Sequence, residues 1–477
     1  MTVYLAVILV YLGVLVGVGI WASRRVSSQE DFSVAGRTLP IPVLFATLLA
    51  CWIGTGSIFG NAEKTYETGI AAWILPIGEL AGIAALWFLA HRVRRLEVLS
   101  VPDILESRYN ATARVLGTIA LVLAYTTIVS YQYRAAALVI RLAMPTIDPG
   151  ITVPMVAAFV IAFTALAGMF SVAYTDVGNG TLMIVGLVLA FPIFFAKAGG
   201  IEGIRAALPA SHSALFGPIN GWQALGYLLP PFLLILGDAN MYQRFFSAKS
   251  ERSARWAIPI FFVGVALVEF LIIGSAWAGS ALVPNLANPG AIIPTAAKAV
   301  LPTALGALLM AAIMAIILST ADSFLLIPST TFVNDVWVRF FRKEASQKEI
   351  VRVSRIVVVL FGLWALFLST LSDKFLDVAL YAYTIYGAAI TPSIVASFFW
   401  KRVTSQGAVA SIAAGTAVTV AWKGLGYEAQ APLWMGFPQG FGLDAVLPAI
   451  TASLLALVLV SLLTPPSPEE QVARFAA

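Results

Sequence analysis

The sequence predicts an all-α integral membrane protein of about thirteen transmembrane helices, two of which are interrupted. Three observations lead to this fold class. Hydrophobic residues make up 60% of the 477 residues and charged residues only 11%, whereas soluble domains are about 25% charged. Apolar runs near the ~20 residues that cross a bilayer recur along the chain. Two of these runs contain clustered glycine or proline. A soluble globular fold is therefore excluded.

Each predicted span is an apolar run of about membrane length. The spans centre on residues 3–23, 40–61, 71–90, 114–143, 152–170, 175–196, 222–243, 256–284, 304–333, 352–371, 375–399, 405–424 and 444–463. The segments between them are short, so we expect no soluble domain of any size.

Basic residues gather in the loops on one predicted side of the membrane. These residues are Arg24, Arg25, Arg92, Arg94, Arg95, Arg244, Lys249, Arg252, Arg255, Arg339, Arg342, Lys343, Lys348, Arg352, Lys401 and Arg402. Because cytoplasmic loops are enriched in lysine and arginine, we expect an inner-membrane protein with its N-terminus outside and its C-terminus in the cytoplasm. The net charge of +5 then reflects orientation, and no nucleic-acid partner is expected.

Two predicted spans contain residues that make a continuous helix unfavourable. The second contains CWIGTGSIFG (51–60), and the seventh contains YLLPPFLLILGDANMYQ (227–243). Backbone that leaves a helix at membrane depth is tolerated only where it lines a cavity. Two broken helices five spans apart are typical of a secondary transporter built from inverted repeats, with its site near the midplane. The alternative is that these residues only allow helices to pack closely.

A polar cluster interrupts the apolar ninth span at ILSTADSFLL (317–326). At 100° per residue, Ser319, Asp322 and Ser323 share one helix face and Thr320 borders it. Hydroxyl and carboxylate oxygens suit a hard cation. Hydroxyl groups alone could bond back to the i−4 carbonyl, but an aspartate at the bilayer centre costs about 2.5–3.5 kcal/mol. We interpret the cluster as part of a cation site.

Other classes of protein fit the sequence less well. An intramembrane enzyme would need a serine–histidine pair, an HExxH motif or paired aspartates, and neither His91 nor His212 is near a candidate serine. The single cysteine, Cys51, excludes an intrachain disulfide. We therefore predict no enzyme activity. A cation channel remains the alternative from another class, because hydroxyl-lined helices and carbonyl groups also conduct ions.

Several segments resemble the sodium:solute symporter family. STADS (319–323), followed by Asn334-Asp335 and a basic loop ending KEIVRVSRI, resembles the ninth span and following loop of that family. GMFSVAYTDV (168–177) is similar to its short loop before the sixth span, and MYQRFFSAKS (241–250) to its exit from the seventh. ACWIGTGSIFGNAE, SVAYTD and ADS are most similar to the branch that contains high-affinity choline transporters. The resemblance covers about residues 5–400.

The resemblance implies a leucine-transporter-type fold and sodium-coupled symport. The expected units are an N-terminal helix and loop (1–39), two inverted five-helix repeats (40–221 and 222–399) and two C-terminal helices with a tail (400–477). The expected cargo is a small polar organic solute (a zwitterion, amine or carboxylate) that enters the cell with sodium through a monomer in the lipid bilayer. A proton-coupled symporter of the same fold is the alternative.

The resemblance also implies the cation ligands. One sodium would bind the backbone carbonyl groups of Ala50, Ile53 and Ile316 and the hydroxyl groups of Ser319 and Thr320. Some family members hold a second sodium with an aspartate and further serines. Asp176 and Ser323 match that set, but Asp322 stands where one of the serines would be. These three residues are therefore a candidate second site for a cation or a proton.

The predicted substrate residues are Trp52, Gly54, Glu79, Arg134, Asp238 and Tyr386. An indole face at Trp52 can hold an ammonium group. Asp238 lies in the second break, and Arg134 can grip a carboxylate with two hydrogen bonds. The alternative is an internal ion pair of Arg134 with Glu79 or Asp238, because buried charges are usually paired. Glu269 is expected to be structural or interfacial.

Overall fold

The computed structural model of the protein describes residues 2–23, 29–372, 374–432, 435–438 and 441–476. The described residues form helices and loops, with one isolated parallel bridge between Leu39 and Ala248. The all-α prediction is confirmed. Arg24 and Arg25, the first predicted basic cluster, lie outside the described residues.

Fifteen helices build the membrane region and carry the labels used below. They are α1 Val3–Ser23, α2 Ile41–Trp52, α3 Ala62–Thr68, α4 Ile74–Leu86, α5 Ala111–Ala143, α6 Pro149–Leu166, α7 Ser171–Lys197, α8 Gly221–Gly237, α9 Ala239–Ser247, α10 Glu251–Leu282, α11 Thr303–Phe332, α12 Gln347–Leu368, α13 Phe375–Phe399, α14 Ser405–Gly424 and α15 Val446–Leu463. Shorter helices lie at Gln29–Val34, Ala90–Arg95, Val101–Arg108, Gly200–Ala207, Ile292–Val300 and Glu469–Ala476, and π-helical turns at Gly56–Asn61 and Val333–Phe341.

Within the described part of the chain, eleven helical segments are long and apolar enough to cross a membrane. Two of the predicted spans fall outside that set. The second appears as the short apolar helix Ile41–Trp52, because its break divides it. The twelfth is the 20-residue helix α14, which is less apolar than the others.

The helices α6 and α7 are consecutive parts of one helical segment, Pro149–Lys197. Thr164 of α6 contacts Asp322 of α11. Further along the chain, Asp176 contacts Ser319 and Gly186 lies against Ala312. α7 therefore follows α11 towards its N-terminus. The short loop expected at residues 168–177 is helical.

Both predicted helix breaks are present. α2 ends at Trp52, and Ile53 is extended with φ −72° and ψ 106°. α8 ends at Gly237, and Asp238 leaves the helical region with φ −60° and ψ 117°. A Cβ atom at Gly237 would lie 2.4 Å from the Thr391 hydroxyl group, so only glycine fits there. The second break therefore lies after the proline pair, which stays inside α8.

Helix α11 lies at the centre of the bundle. Of its most apolar window, 83% is buried, compared with 17% for α1. It packs against α5, α6, α7 and α1. Its polar residues therefore face other helices instead of lipid, and they need partners inside the protein.

An ion-pair network ties α5 to the turn after α11. The guanidinium group of Arg114 contacts Asp103 at 2.6 Å and also pairs with Glu106 and Asp335. Arg339 pairs with Glu106 as well. Asp335 is fully buried, so this network fastens the predicted cytoplasmic end of the bundle.

Candidate functional site

The predicted cation ligands come together where α11 meets the first break. The Ser319 Oγ atom lies 3.2 Å from the Ala50 carbonyl oxygen. The Thr320 Oγ1 atom lies 3.3 Å from the Ile53 carbonyl oxygen and 3.1 Å from that of Ile316. A hard cation held about 2.4 Å from its ligands separates neighbouring oxygens by about 3.4 Å. The spacing of these oxygen atoms therefore suits a small hard cation.

Glycine allows α11 to approach the break this closely. A Cβ atom at Gly54 would lie 2.8 Å from the Thr320 hydroxyl oxygen, which is too close for any other residue. The extended Ile53 turns its carbonyl group out of the helical ladder and towards Thr320. The Gly54 position and the break together make the oxygen cluster possible.

A buried arginine lies in the predicted second site. Arg244 Nη2 is 3.3 Å from Asp176 Oδ2 and donates to the Ser323 hydroxyl oxygen at 2.9 Å. Its Nε atom donates to the Thr47 carbonyl at 3.0 Å, and the Thr47 hydroxyl group donates to Asp176 at 2.5 Å. Asp176 also accepts a hydrogen bond from Ser319. The sequence pattern placed Arg244 in a basic loop, but it is fully buried in α9.

Asp322 has a different environment from Asp176. Its Oδ1 atom accepts a hydrogen bond of 2.9 Å from the Thr164 hydroxyl group of α6. Its side chain is 4% exposed. The two carboxylates of the predicted second site therefore have separate partners on separate helices.

A small central cavity lies beside the cation cluster. It is lined by Trp52, Gly54, Gly56, Ile128, Tyr131, Gln132, Leu234, Thr320, Phe324 and Tyr383. Its volume of about 10 Å³ is near the minimum that one water molecule needs. The centre of the protein is thus closed in this structure, and a solute can enter only after the helices move. Thr320 belongs both to this cavity and to the cation cluster.

Gln132 is the polar residue of this cavity that the sequence did not single out. Its Oε1 atom accepts hydrogen bonds from the Thr55 amide, at 3.3 Å, and from the Thr55 hydroxyl group. Its Nε2 atom is buried without a hydrogen-bond partner. A buried amide donor that lacks a partner is costly. The sequence signal that could have identified Gln132 is a single glutamine among aromatic residues in an apolar span.

Of the six predicted substrate residues, Trp52 and Gly54 line the cavity. Glu79 lies behind Trp52 and accepts a hydrogen bond of 3.0 Å from the indole Nε1 atom. Asp238 accepts hydrogen bonds from the Tyr125 hydroxyl group and from the Asn240 amide, so it caps α9. Tyr386 packs against Tyr125 with ring centroids 5.5 Å apart.

Arg134 lies in another cavity. One guanidinium nitrogen, Nη1, donates to the Ser369 carbonyl at 2.6 Å. The side chain lines a space of about 610 Å³ together with Arg141 and Asn288. Glu79 and Asp238 have the partners described above. The alternative pairing of Arg134 with either acid is therefore absent from the ion pairs among the described residues.

This combination of broken helices, an oxygen cluster and a closed central cavity defines a secondary transporter. The model of the sodium:solute symporter family matches residues 32–415. The chain belongs to the sodium:solute symporter family. It is therefore a sodium-coupled symporter of a small organic solute and not an enzyme.

Similar proteins include a proline transporter and a choline transporter. The chain is 26% identical to the high-affinity proline transporter PutP of Bacillus subtilis (strain 168), over 94% of this chain and 95% of that protein. It is 27% identical to the high affinity choline transporter 1 of Homo sapiens, over 86% and 75%. These two identities are nearly equal, so the similarity does not identify the solute.

A solved structure supports the fold. The substrate-bound, outward-open state of a Na⁺-coupled sialic acid symporter matches with a TM-score of 0.83 and 20% identity, over 98% of this chain and 99% of that chain. The predicted leucine-transporter-type fold is confirmed.

Proposed function

We propose that this protein carries a small zwitterionic solute into the cell together with one sodium ion. Sodium would bind the carbonyl groups of Ala50, Ile53 and Ile316 and the hydroxyl groups of Ser319 and Thr320. The single observation that carries the proposal is the position of Thr320, which contacts the break and lines the central cavity. A cation at Thr320 fixes the wall against which the solute binds.

One sodium ion per cycle fits the surroundings of Asp176 better than two. The guanidinium group of Arg244 already pairs with Asp176 and donates to Ser323. A second cation between these groups would be repelled by the arginine and would lose two of its ligands to it. We therefore assign Asp176 and Ser323 to an internal network. Asp322 remains the candidate for the proton-coupled alternative, because it lies outside the Arg244 contacts.

The lining of the cavity supports a zwitterion. Aromatic rings of Trp52, Tyr131, Phe324 and Tyr383 surround the space, and aromatic faces attract an ammonium group. The free Nε2 donor of Gln132 fits a carboxylate or carbonyl oxygen. The described lining carries no charged side chain, so a solute with no net charge avoids an unpaired buried charge. Amino acids and betaines have this chemistry.

Transport requires the closed centre to open to each side in turn. We propose that the N-terminus faces the outside and that the protein lies in the inner membrane, as the basic loops predict. Sodium binding would favour one of the two open states, because a ligand shifts a conformational equilibrium only through its different affinity for the two states. The protomer would act as a monomer, since one chain contains the whole site.

Reconstituted vesicles test this function. Under an inward sodium gradient, we expect uptake of a labelled zwitterion from a panel of amino acids, betaines, amines and carboxylates. Gln132→Ala should weaken solute affinity about 10- to 100-fold, because a hydrogen bond to a charged group contributes about 1.5–3 kcal/mol. Sodium binding without solute should stay near that of the wild type.

Two outcomes would overturn the proposal. Uptake that does not depend on the sodium gradient would contradict sodium coupling. Uptake that depends on a proton gradient instead would support the proton-coupled alternative. Ion conductance without counterflow would indicate a channel. In a channel, unlabelled solute on the far side does not accelerate the uptake of labelled solute.

A further inference from the structure

Two buried glutamates lie on neighbouring helices behind the first helix break. Glu79 on α4 is 5% exposed and Glu269 on α10 is fully buried. The two helices pack together, and the charge of Glu269 acts on Glu79. The sequence predicted an interfacial or structural place for Glu269, but the side chain points into the protein beside a second acid.

The surroundings of this glutamate pair supply hydrogen-bond donors but no positive charge. Trp52 Nε1 donates to Glu79 at 3.0 Å, and Asn61 Nδ2 donates to Glu269 Oε2 at 2.8 Å. The ion pairs among the described residues include neither glutamate.

One oxygen of the pair has no partner. Glu269 Oε1 is buried without a hydrogen bond. Among the described residues, the Tyr383 hydroxyl group of α13 is a further titratable group on which the charge of Glu79 acts. Two negative charges and an oxygen atom without a donor are an unfavourable combination inside a protein. Binding of a positively charged species would offset these charges.

A proton fits this place better than a larger cation does. The nearest described cavity lies on the other side of Trp52 and measures about 10 Å³, which leaves no room for an organic ammonium group next to the acids. A proton needs no volume, and it turns one carboxylate oxygen into a donor.

We propose that Glu79 and Glu269 share one exchangeable proton, and that this proton regulates solute binding through Trp52. The inference rests on the proposed function, because Trp52 lines the solute cavity with its ring and bonds to Glu79 with its Nε1 atom. The proton comes from water and returns to it, with no other bond made or broken. When it leaves, the pair carries two charges and attracts the Trp52 and Asn61 donors more strongly. These donors stand on the two sides of the first break, so proton release changes the geometry of the break.

Infrared spectroscopy of the purified protein tests this directly. A protonated carboxylic acid has a carbonyl stretching band that a carboxylate lacks. In the absence of sodium and solute, we expect a band that titrates with pH in the wild type. It should be lost in the double variant Glu79→Gln/Glu269→Gln and shifted in its midpoint in each single variant. Glu67→Gln is the matched control, since Glu67 lies nearby, exposed, and pairs with Lys64.

Three outcomes bear on the proposal. A protonated-acid band unchanged in the double variant would overturn it. A band removed by sodium alone at constant pH would also overturn it and would assign the pair to a metal cation. If the variants fail to fold, the wild type and Glu63→Gln, both with carbon-13-labelled glutamate, decide the question, because only glutamate bands then shift and the band of the pair remains in Glu63→Gln. A titrating acid band without any such shift would also overturn the proposal.

A transport measurement separates this inference from the proposed function. In Glu79→Gln and Glu269→Gln, the change of solute affinity with pH should be at least about tenfold smaller than in the wild type, equivalent to about 1.4 kcal/mol. The dependence of solute affinity on sodium should remain. Failure of sodium-driven uptake in the wild type would contradict the function and leave the infrared result intact. Unchanged pH dependence of solute affinity, with the band lost, would contradict the regulatory role alone.

Discussion

Arg244 Nη2 lies 3.3 Å from Asp176 Oδ2, and both side chains are fully buried. Removing one partner of a buried ion pair leaves an uncompensated charge and costs about 3–5 kcal/mol. We therefore expect Asp176→Asn and Arg244→Met each to lower the melting temperature of the purified protein strongly. The double variant should recover much of the loss. Arg95→Gln is the control, because its pair with Glu251 is about half exposed and contributes at most about 1 kcal/mol. Equal melting temperatures for all variants would contradict the assignment.

The cation cluster gives a second prediction. Ser319→Ala with Thr320→Ala removes both hydroxyl ligands, so the half-saturating sodium concentration should rise at least about tenfold, which corresponds to about 1.4 kcal/mol. Ser329→Ala is the matched control on the same helix, because that hydroxyl group bonds to the Leu325 carbonyl. Sodium titration of binding or uptake measures the effect. Unchanged sodium dependence in the double variant would exclude these two side chains from the site.

Asp322→Ser tests the number of sodium ions. This change restores the serine that the two-sodium members of the family are expected to have. Arg244 would still pair with Asp176 and donate to Ser323, so we expect the ratio of sodium to solute to stay at one. Reversal potentials of uptake at several sodium gradients give this ratio. A ratio of two in either protein would show that the arginine does not exclude a second ion.

A close contact in the central cavity gives a fourth prediction. A Cβ atom at Gly56 would lie 2.4 Å from the Tyr383 hydroxyl oxygen, and overpacking of this kind costs about 1–3 kcal/mol. Gly56→Ala should therefore reduce uptake and melting temperature, and Tyr383→Phe added to it should restore part of both. Gly178→Ala is the control, because nothing lies within 4 Å of its Cβ position. A Gly56→Ala variant with wild-type uptake would argue against tight closure here.

The loop between α14 and α15 gives a pH prediction. Burial raises the pKa of Asp444 from 3.8 to about 6, so the folded protein binds a proton more tightly than the unfolded chain does. The resulting stabilisation is fully present below about pH 4 and is lost as the pH rises through about 6. It amounts to at most about 3 kcal/mol. The difference in melting temperature between acidic and neutral pH should be smaller in Asp444→Asn than in the wild type. Identical pH profiles of melting temperature in the two proteins would contradict this.

The sequence was sufficient to predict the elements whose chemistry is local. The glycine-rich stretch 51–60 and the polar cluster 319–323 each conflict with an apolar helix. Each conflict indicates a special role without knowledge of any partner. The class of protein and the five candidate cation ligands followed from these two segments and the resemblance. The cation-binding role of the ligands stays a prediction.

Partners that lie far apart in the chain could not be predicted in this way. The pairing of Arg244 with Asp176 depends on how α9 packs against α7, which no local pattern reports. Gln132 and Arg134 show the same limit on one helix. Two residues correspond to about 200° of rotation, so the glutamine lines the central cavity while the arginine points to another one. The sequence indicated that this turn of α5 is functional, but not which face.

The shared position of Thr320 has a thermodynamic consequence. If sodium improves solute affinity by some factor through this residue, the solute must improve sodium affinity by the same factor. The two factors come from separate titrations, and their equality holds for any mechanism at equilibrium. The size of this factor gives the coupling free energy between sodium and solute. The decrease of that coupling free energy in Thr320→Ala gives the contribution of the Thr320 side chain.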